Sequence, residues 1–345
     1  MDMQQALGKL VEREDLSREE MAGVMRQVMS GEATEAQIGG LLVALRMKGE
    51  TIDEIAGAAE VMRQLATPVE LEGDDAVDLV GTGGDGANLF NVSTASCFVV
   101  AAAGGRVAKH GNRSVSSSTG SSDVLETLGM PLDLSPTQTA RAIETVGLGF
   151  MFAPAHHSAM RYAVGPRREL AMRTIFNVLG PLTNPAGVKR QVMGVFDAAL
   201  CEPLVQVLKT LGSVHAMVVH SDDGLDEISI AAPTTVSELR EGSVATYKIY
   251  PSDFGLEQQD LSGLTVSSAQ ESAELIRAAL ANDASPEAQK AQNMIAFNAG
   301  ATIYVAGIAA TLADGVGMAG DLLHSGQAAQ KLSEFIEFTQ LVRDQ

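Results

Sequence analysis

Apolar positions in the first 66 residues recur with a helical period. Met21, Val24, Met25, Val28 and Met29 fall at i, i+3, i+4, i+7 and i+8, on one face of a helix. Ser17 with Glu20 makes a capping-box pattern before that face, and Gly31 supplies a stop after it. Thr34 with Gln37 opens a second helix, whose stripe is Ile38, Leu41, Leu42 and Leu45 and whose end is Gly49. Thr51 with Glu54 opens a third, with Ile55, Ala59 and Met62 inward. The Thr67-Pro68 step closes it, because proline drives its predecessor out of the α region. A further helix is expected over 3–12. The methionine stripe reads as adaptable packing rather than as a cofactor site. The methionine-rich and leucine-rich stripes over 21–45 together offer more apolar surface than three or four short helices bury among themselves, which predicts a dimer through this unit.

After Pro68 the pattern becomes short buried strand, glycine loop, helix. Strands are predicted at 76–80, 106–111, 147–152, 191–196, 214–220 and 244–250. Helices are predicted at 95–103, 123–129, 136–146, 268–282, 286–312 and 326–342. This alternation predicts an α/β fold with a mixed, mainly parallel sheet flanked by helices, preceded by a small all-α domain.

Composition narrows the picture. A chain of 345 residues corresponds to about two domains at ~100–200 residues each. Its 24 basic and 43 acidic residues give a net charge of −19, which argues against a nucleic-acid binder with a basic face. Two cysteines, Cys97 and Cys201, do not make a disulfide framework and fit a reducing compartment. The chain has no HxH or CxxC spacing to predict zinc. No apolar stretch approaches the ~18 residues of a membrane span. The start, MDMQQALGKLVERED, carries acids and no apolar core, so a cytoplasmic location without a secretory leader is expected.

The candidate chemistry begins at GTGGDG (81–86), directly after the strand at 76–80. It matches GxGxxG, but eight loop-like residues (87–94) follow instead of a helix, and position 106 is Arg where a dinucleotide site wants an acid. The better reading is an anion cradle. Glycines let backbone N–H groups approach a pyrophosphate, while Ser93 and Thr94 open a helix whose dipole favours negative charge. KHGNRS (109–114) comes off the next strand and supplies Lys109, Asn112 and Arg113, with Gly111 for close approach, before a hydroxyl-rich run over 114–122. Two successive phosphate-style loops predict a ligand with more than one phosphate. Asp226 and Glu227 in DDGLDEIS (222–229) are adjacent carboxylates after a strand. That donor set suits Mg²⁺, which takes carboxylates, water and substrate phosphates.

With these residues in place the chain resembles the anthranilate phosphoribosyltransferase family over nearly its whole length. The resemblance rests on GTGGDG…NVSTAS, KHGNRSVSS…GSSDVLE, FAPAHHSAM, RTIFNVLGPLTNPA and DGLDEIS, in that order and spacing. It implies transfer of the phosphoribosyl group of 5-phosphoribosyl 1-diphosphate to the amine of anthranilate, with release of pyrophosphate, in tryptophan biosynthesis. It implies a homodimer, and a helical domain of residues 1–66 with a returning segment near 165–190. That domain would be hinged to an α/β domain of residues 67–345, with the active site between the two.

By resemblance, Gly81, Gly84 and Asp85 line the pyrophosphate. Asn91, Val92, Ser93 and Thr94 hold the phosphoribosyl diphosphate, with Ser93 also a Mg²⁺ ligand. Lys109, His110, Gly111, Asn112, Arg113, Ser114, Val115, Ser116 and Ser117 wrap the ligand, and Ser121 adds to it. Asp226 and Glu227 hold a second Mg²⁺, making about two ions. Asn112 and Arg167 address anthranilate, with Gly81, His110, His157 and Pro181 nearby. Arg167 suits a carboxylate through its planar fork, although its neighbour Arg168 is not separated from it by sequence. His110 and His157 are candidate proton shuttles or, equally, orienting hydrogen-bond partners. Two positions depart from the family pattern: Leu89 stands where Thr or Ser is usual, and Ala171 stands where Gly is expected.

Two rival readings remain on these residues. A pyrimidine nucleoside phosphorylase of related architecture would not need the Asp226-Glu227 pair. A nucleic-acid-binding paralogue would be expected to lose that pair and gain a basic face.

Overall fold

Each of the first four helices starts at a side-chain cap. In the computed structural model, which describes residues 1–113 and 119–344, α1 (Met3–Val11) is capped by Asp2 and α2 (Arg18–Ser30) by Ser17. Thr34 caps α3 (Glu35–Lys48) and Thr51 caps α4 (Ile52–Leu65). All four close as capping boxes, satisfying backbone donors that a helix N-terminus otherwise leaves free. Glu54, the box residue of α4, is wholly buried, where it also accepts from Leu16 N–H and the Lys48 ammonium at 3.0 and 2.9 Å.

Seven strands among the described residues form one sheet in the order β3-β2-β1-β4-β5-β6-β7. These are β1 (Val77–Gly81), β2 (Val107–Gly111), β3 (Leu148–Phe152), β4 (Arg190–Gly194), β5 (His215–Ser221), β6 (Thr234–Arg240) and β7 (Ser243–Ile249). Pairing is parallel from β3 through β5 and antiparallel across β5, β6 and β7. The connecting helices are α5 (Val92–Ala102), α6 (Ser121–Leu128), α7 (Pro136–Val146), α8 (Ala153–His156), α9 (Arg161–Leu170), α10 (Phe176–Leu179) and α11 (Cys201–Thr210). The chain closes with α12 (Ala269–Leu280), α13 (Pro286–Val305), α14 (Leu312–His324) and α15 (Gln327–Arg343).

The period-2 geometry of the strands sorts their side chains between two faces. Val77, Leu79, Val107, Val192, Met217 and Val219 pack into a core with α5, α13 and α15. Their neighbours Met193, Ala216 and Val218 face the opposite way, into a core shared with α11 and α1–α4. Ala163, Phe176 and Leu179, from α9 and α10, are buried in that same second core.

Four expectations are corrected here. Strand β6 was not predicted, because TTVSELR buries small and polar side chains such as Thr234 and Ser237 rather than an apolar alternation. Its turn, Glu241-Gly242, has both residues at positive φ, the hairpin geometry that an Asn-Gly pair usually signals. The single helix expected over 286–312 is two: Gly307, at φ +81, breaks it after Val305, and Thr311 caps the next. Helix α11 was also unpredicted. The helix expected at 95–103 begins earlier, at Val92, with Ser93 and Thr94 in the first turn they were expected to open.

The methionine stripe is a further correction. Met21, Met25 and Met29 are 0, 1 and 4% exposed within the chain itself. Helices α4 and α9 cover α2, so this face offers no surplus apolar surface to a second copy.

Ala171 ends α9 in the left-handed conformation, at φ 48 and ψ 34. This is a backbone penalty, because a Cβ crowds the following carbonyl there. Ala171→Gly is expected to stabilise the protein by about 1 kcal/mol, seen as a raised midpoint in denaturant at unchanged slope.

Candidate active site

Strands β1 and β4 are neighbours, yet the chain runs from β1 toward one edge of the sheet and from β4 toward the other. In open α/β sheets the crevice beyond the carboxyl ends at such a switch point is where ligands bind. Here Gly81 ends β1, Gly194 ends β4, and the two are register partners. Gly194 must be glycine, because a Cβ there would run into the main-chain carbonyl of Asp226; one on Gly81 would displace the Asp226 carboxylate. The 222–229 segment is thereby seated directly over the strand ends.

The GTGGDG loop turns back on itself through Gly83, Gly84 and Gly86, all at positive φ. Gly83 N–H donates to Asp226 Oδ2 at 2.6 Å, and Asp85 Oδ1 accepts from Ala87 N–H at 3.1 Å. Burial, followed by the charge of Asp85, pushes the Asp226 carboxyl up to about 7. Burial and the neighbouring Asp226 likewise raise Glu227 well above the usual range, although Lys109 and the Ser93 N–H favour its charged form. Both side chains keep part of their surface exposed. The result is a crowded acidic corner open to the cleft.

Lys109, 3% exposed, donates to the Leu79 carbonyl at 2.6 Å and to Ser93 Oγ at 3.3 Å. It sits against the first turn of α5, whose N-cap is Asn91. Asn91 is held by Ser272 from α12, through its own N–H at 3.0 Å and its Oδ1 at 2.8 Å. Val92 is buried core, and Thr94 Oγ1 is buried with no partner among the described residues. Asn112 and Arg113 are exposed at the end of β2, and Ser121 Oγ reaches back to the Asn112 carbonyl at 3.3 Å. A Cβ on Gly111 would meet Ser121 and the Phe150 ring, so the close approach expected at this glycine is made to protein. Arg113 is engaged by Asp123 at 2.6 Å and Glu126 at 3.3 Å, and is therefore not a free cation here. Ser114, Val115, Ser116 and Ser117 lie outside the described residues.

A second group gathers on the opposite face of the strand ends. His110 and His157 are buried with ring centroids 5.1 Å apart, and the Nε2 of each has no partner among the described residues. Burial, then the neighbouring histidines, lowers His110 to about 3; burial, then His156, lowers His157 to about 4. Both rings are therefore neutral near pH 7. Pro181 lies in the adjoining turn, its carbonyl accepting from Gln191 Nε2 at 2.7 Å. Arg167 is half-buried, lies over the Phe176 ring at 5.2 Å, and has no acidic partner among the described residues. Its burial lowers its pKa. Arg168, by contrast, is exposed.

Four residues were not singled out in the sequence: Gly194, Asp78, Asn184 and Arg173. Arg173 donates to the Gly84 carbonyl and lies over the Phe196 ring at 4.0 Å. The signal for Gly194 was a glycine at the end of a buried strand, and for Asp78 a carboxylate inside one. Leu89 packs against the first core and makes an isolated bridge with Thr265, so its side chain serves packing rather than the cradle.

A helical unit joined to a mixed α/β sheet, with a glycine loop at the switch point, is the two-part architecture of a glycosyl transferase family that this chain matches. Residues 4–66 match the helical bundle domain of the glycosyl transferase family, and residues 73–329 match that family's α/β domain. The anthranilate phosphoribosyltransferase of Teredinibacter turnerae is 65% identical over 98% of this chain and 99% of its own; that of Cellvibrio japonicus is 63% identical over 99% and 100%. Among solved structures, the Thermus thermophilus anthranilate phosphoribosyltransferase superposes with a TM-score of 0.91 at 40% identity, covering 97% of this chain and 99% of that one. The Saccharomyces cerevisiae enzyme, in complex with PRPP and Mg, gives 0.88 at 26% identity over 98% of each. The chain belongs to the anthranilate phosphoribosyltransferase family.

Proposed function

We propose that the two faces of the strand ends divide the two substrates between them. The protein transfers the phosphoribosyl group of 5-phosphoribosyl 1-diphosphate to anthranilate, a reaction of tryptophan biosynthesis. Neither a nucleoside phosphorylase nor a nucleic-acid-binding reading finds support beside full-length relatives of this one activity.

On the α5 side, the backbone of Gly81, Gly84 and Asp85 and the first turn of α5 at Asn91, Val92, Ser93 and Thr94 receive the diphosphate. Lys109, Asn112 and Ser121 complete this half, and Arg113 joins it on leaving Asp123. The donor set fits Mg²⁺. No group of three His, Cys, Asp or Glu ligands is gathered among the described residues, but Mg²⁺ takes one or two carboxylates with phosphates and water. Asp226 and Glu227, whose ionised forms are disfavoured by burial and then by the charge of Asp85 on the first and of Asp226 on the second, gain most from such a cation. Ser93 would hold one ion and the carboxylate pair a second. Bound there, Mg²⁺ supplies positive charge to the departing pyrophosphate.

On the other side Arg167, Asn112, His110, His157 and Pro181 take anthranilate. A half-buried guanidinium without an acid is matched to a carboxylate ligand. The reaction builds negative charge on pyrophosphate as the ribosyl carbon becomes cationic, so donors fixed at the α5 turn stabilise the transition state more than the ground state. The aromatic amine attacks as the free base. Imidazoles at about 3 and 4 are weak proton acceptors at neutral pH, which favours an orienting role for His110 and His157.

The remaining parts of this reading are a helical domain of residues 1–66 with the 165–190 return, hinged to residues 67–345, and a homodimer in the cytoplasm. The shared burial of α9 and α10 with α1–α4 supports the return. Exposed Val11, Met47 and Ile52 on the helical unit are candidate dimer contacts in place of the buried methionines.

The observation that carries this reading is the separation of Lys109, Ser93 and Glu227 from the His110–His157 pair across the same strand ends. Arg167→Ala tests it: KM for anthranilate is expected to rise at least ~tenfold with KM for phosphoribosyl diphosphate within about threefold, the mark of lost binding to one substrate. An equal effect on both constants would overturn the division.

A further inference from the structure

Asp78 is completely buried inside β1, with its side chain on the sheet face opposite Val77 and Leu79. Its Oδ1 accepts from His110 N–H at 3.3 Å, and its Oδ2 accepts from Asn184 Nδ2 at 2.8 Å. The same Asn184 amide donates to the Ala108 carbonyl at 2.8 Å, and its Oδ1 accepts from Ala186 N–H at 2.9 Å. Asn184 is itself 4% exposed and follows the turn that carries Gly180 and Pro181. One buried carboxylate therefore joins three separated segments: the strand before the cradle, the end of β2, and the 180–184 turn.

A buried carboxylate is costly, and leaving either of its donors unpaired is costly as well. An apolar residue would fill this strand position at lower cost, since β1 otherwise reads as core. What the carboxylate adds is two directed acceptors that fix where the turn lies over β2. Its partners are the main chain of His110 and the side chain of Asn184, both on the face that carries His110, His157 and Pro181. Lys109, Ser93 and Glu227 lie on the other face.

We infer that Asp78, acting through Asn184 and the His110 backbone, is a positioning residue for the anthranilate half of the site and not for the diphosphate half. This rests on the division of substrates proposed above. Asp78→Asn keeps the shape but sets an amide donor against one of two donors. Asn184→Ala removes the other half of the pair while keeping the carboxylate at position 78.

The test is steady-state kinetics on Asp78→Asn, Asn184→Ala, the exchanged double variant D78N/N184D and Arg167→Ala, with both substrates varied. In each of the first two, KM for anthranilate is expected to rise at least ~tenfold and KM for phosphoribosyl diphosphate to stay within about threefold. The exchanged variant, which restores the amide–carboxylate pair but sets a carboxylate against the Ala108 carbonyl, is expected to recover part of the anthranilate KM. A merely structural carboxylate would lower the amount of active enzyme and leave both KM values alone, and that result would overturn the inference. If Asp78→Asn does not fold, Asn184→Ala decides by the same split. If Arg167→Ala raises the anthranilate KM while Asn184→Ala does not, the positioning role falls and the substrate division stands. If Arg167→Ala leaves it unchanged too, the division falls and takes the positioning role with it.

Discussion

Replacing Asp226 and Glu227 together by alanine is expected to reduce turnover at least ~10²-fold while the protein stays folded. The rate argument is electrostatic: the pair is the anionic half of a magnesium site facing the leaving pyrophosphate, and fixed stabilisers of developing charge contribute on the order of 10²–10³-fold each. The folding argument follows from the same corner. Asp226, Glu227 and Asp85 crowd together under burial, and the raised Asp226 and Glu227 values mean that the fold disfavours both ionised carboxylates. Removing them relieves that repulsion and leaves the N–H groups of Gly83 and Ser93 to find water in a partly open cleft. Thermal melts should therefore stay close to the parent. Near-normal turnover of the double variant at saturating substrates and Mg²⁺ would refute the assignment of this pair.

Lys109→Met should act chiefly on stability. The ammonium is buried, bridges Leu79 and Ser93, and lies close enough to Asp78 and Glu227 to favour their charged forms. Methionine fills the space but leaves two buried carboxylates without a counter-charge, a loss of about 3 kcal/mol at pH 8. The pH dependence has a definite sign. Burial already raises Asp78 from 3.8 to about 6, so the folded state binds its proton more tightly than the unfolded chain, and stability gains as pH falls through 6. Without Lys109 the carboxyls rise further and that gain starts at higher pH. The deficit against the parent should therefore shrink between pH 8 and 5.5 in parallel denaturant titrations. A deficit that grows as pH falls would show that charge coupling is not its source.

Local rules carry much of this fold. The capping boxes at Ser17, Thr34 and Thr51 and the left-handed stop at Gly31 are written in adjacent residues and appear as read. The cradle glycines were legible for the same reason, since positive φ at Gly83, Gly84 and Gly86 is a local demand. What the sequence hid depends on tertiary neighbours. Gly194 matters because the Asp226 carbonyl, 32 residues later in the chain, crosses it. Asp78 is a lone acid in a strand until Asn184 and the His110 backbone are brought to it. The methionine stripe looked like surplus surface because periodicity shows that a face is apolar and not what covers it. Here α4 and α9 do, and α9 is more than a hundred residues away in sequence. Arg113 looked like a free cation because Asp123 and Glu126, a helix later, are invisible to a motif.

The most direct test mixes the purified protein with anthranilate and 5-phosphoribosyl 1-diphosphate and follows anthranilate fluorescence together with released pyrophosphate. Fluorescence is expected to fall only when both the diphosphate and Mg²⁺ are present, with one pyrophosphate released per anthranilate consumed. Unchanged fluorescence at saturating diphosphate and Mg²⁺, with phosphorolysis of a pyrimidine nucleoside in a parallel assay, would contradict it.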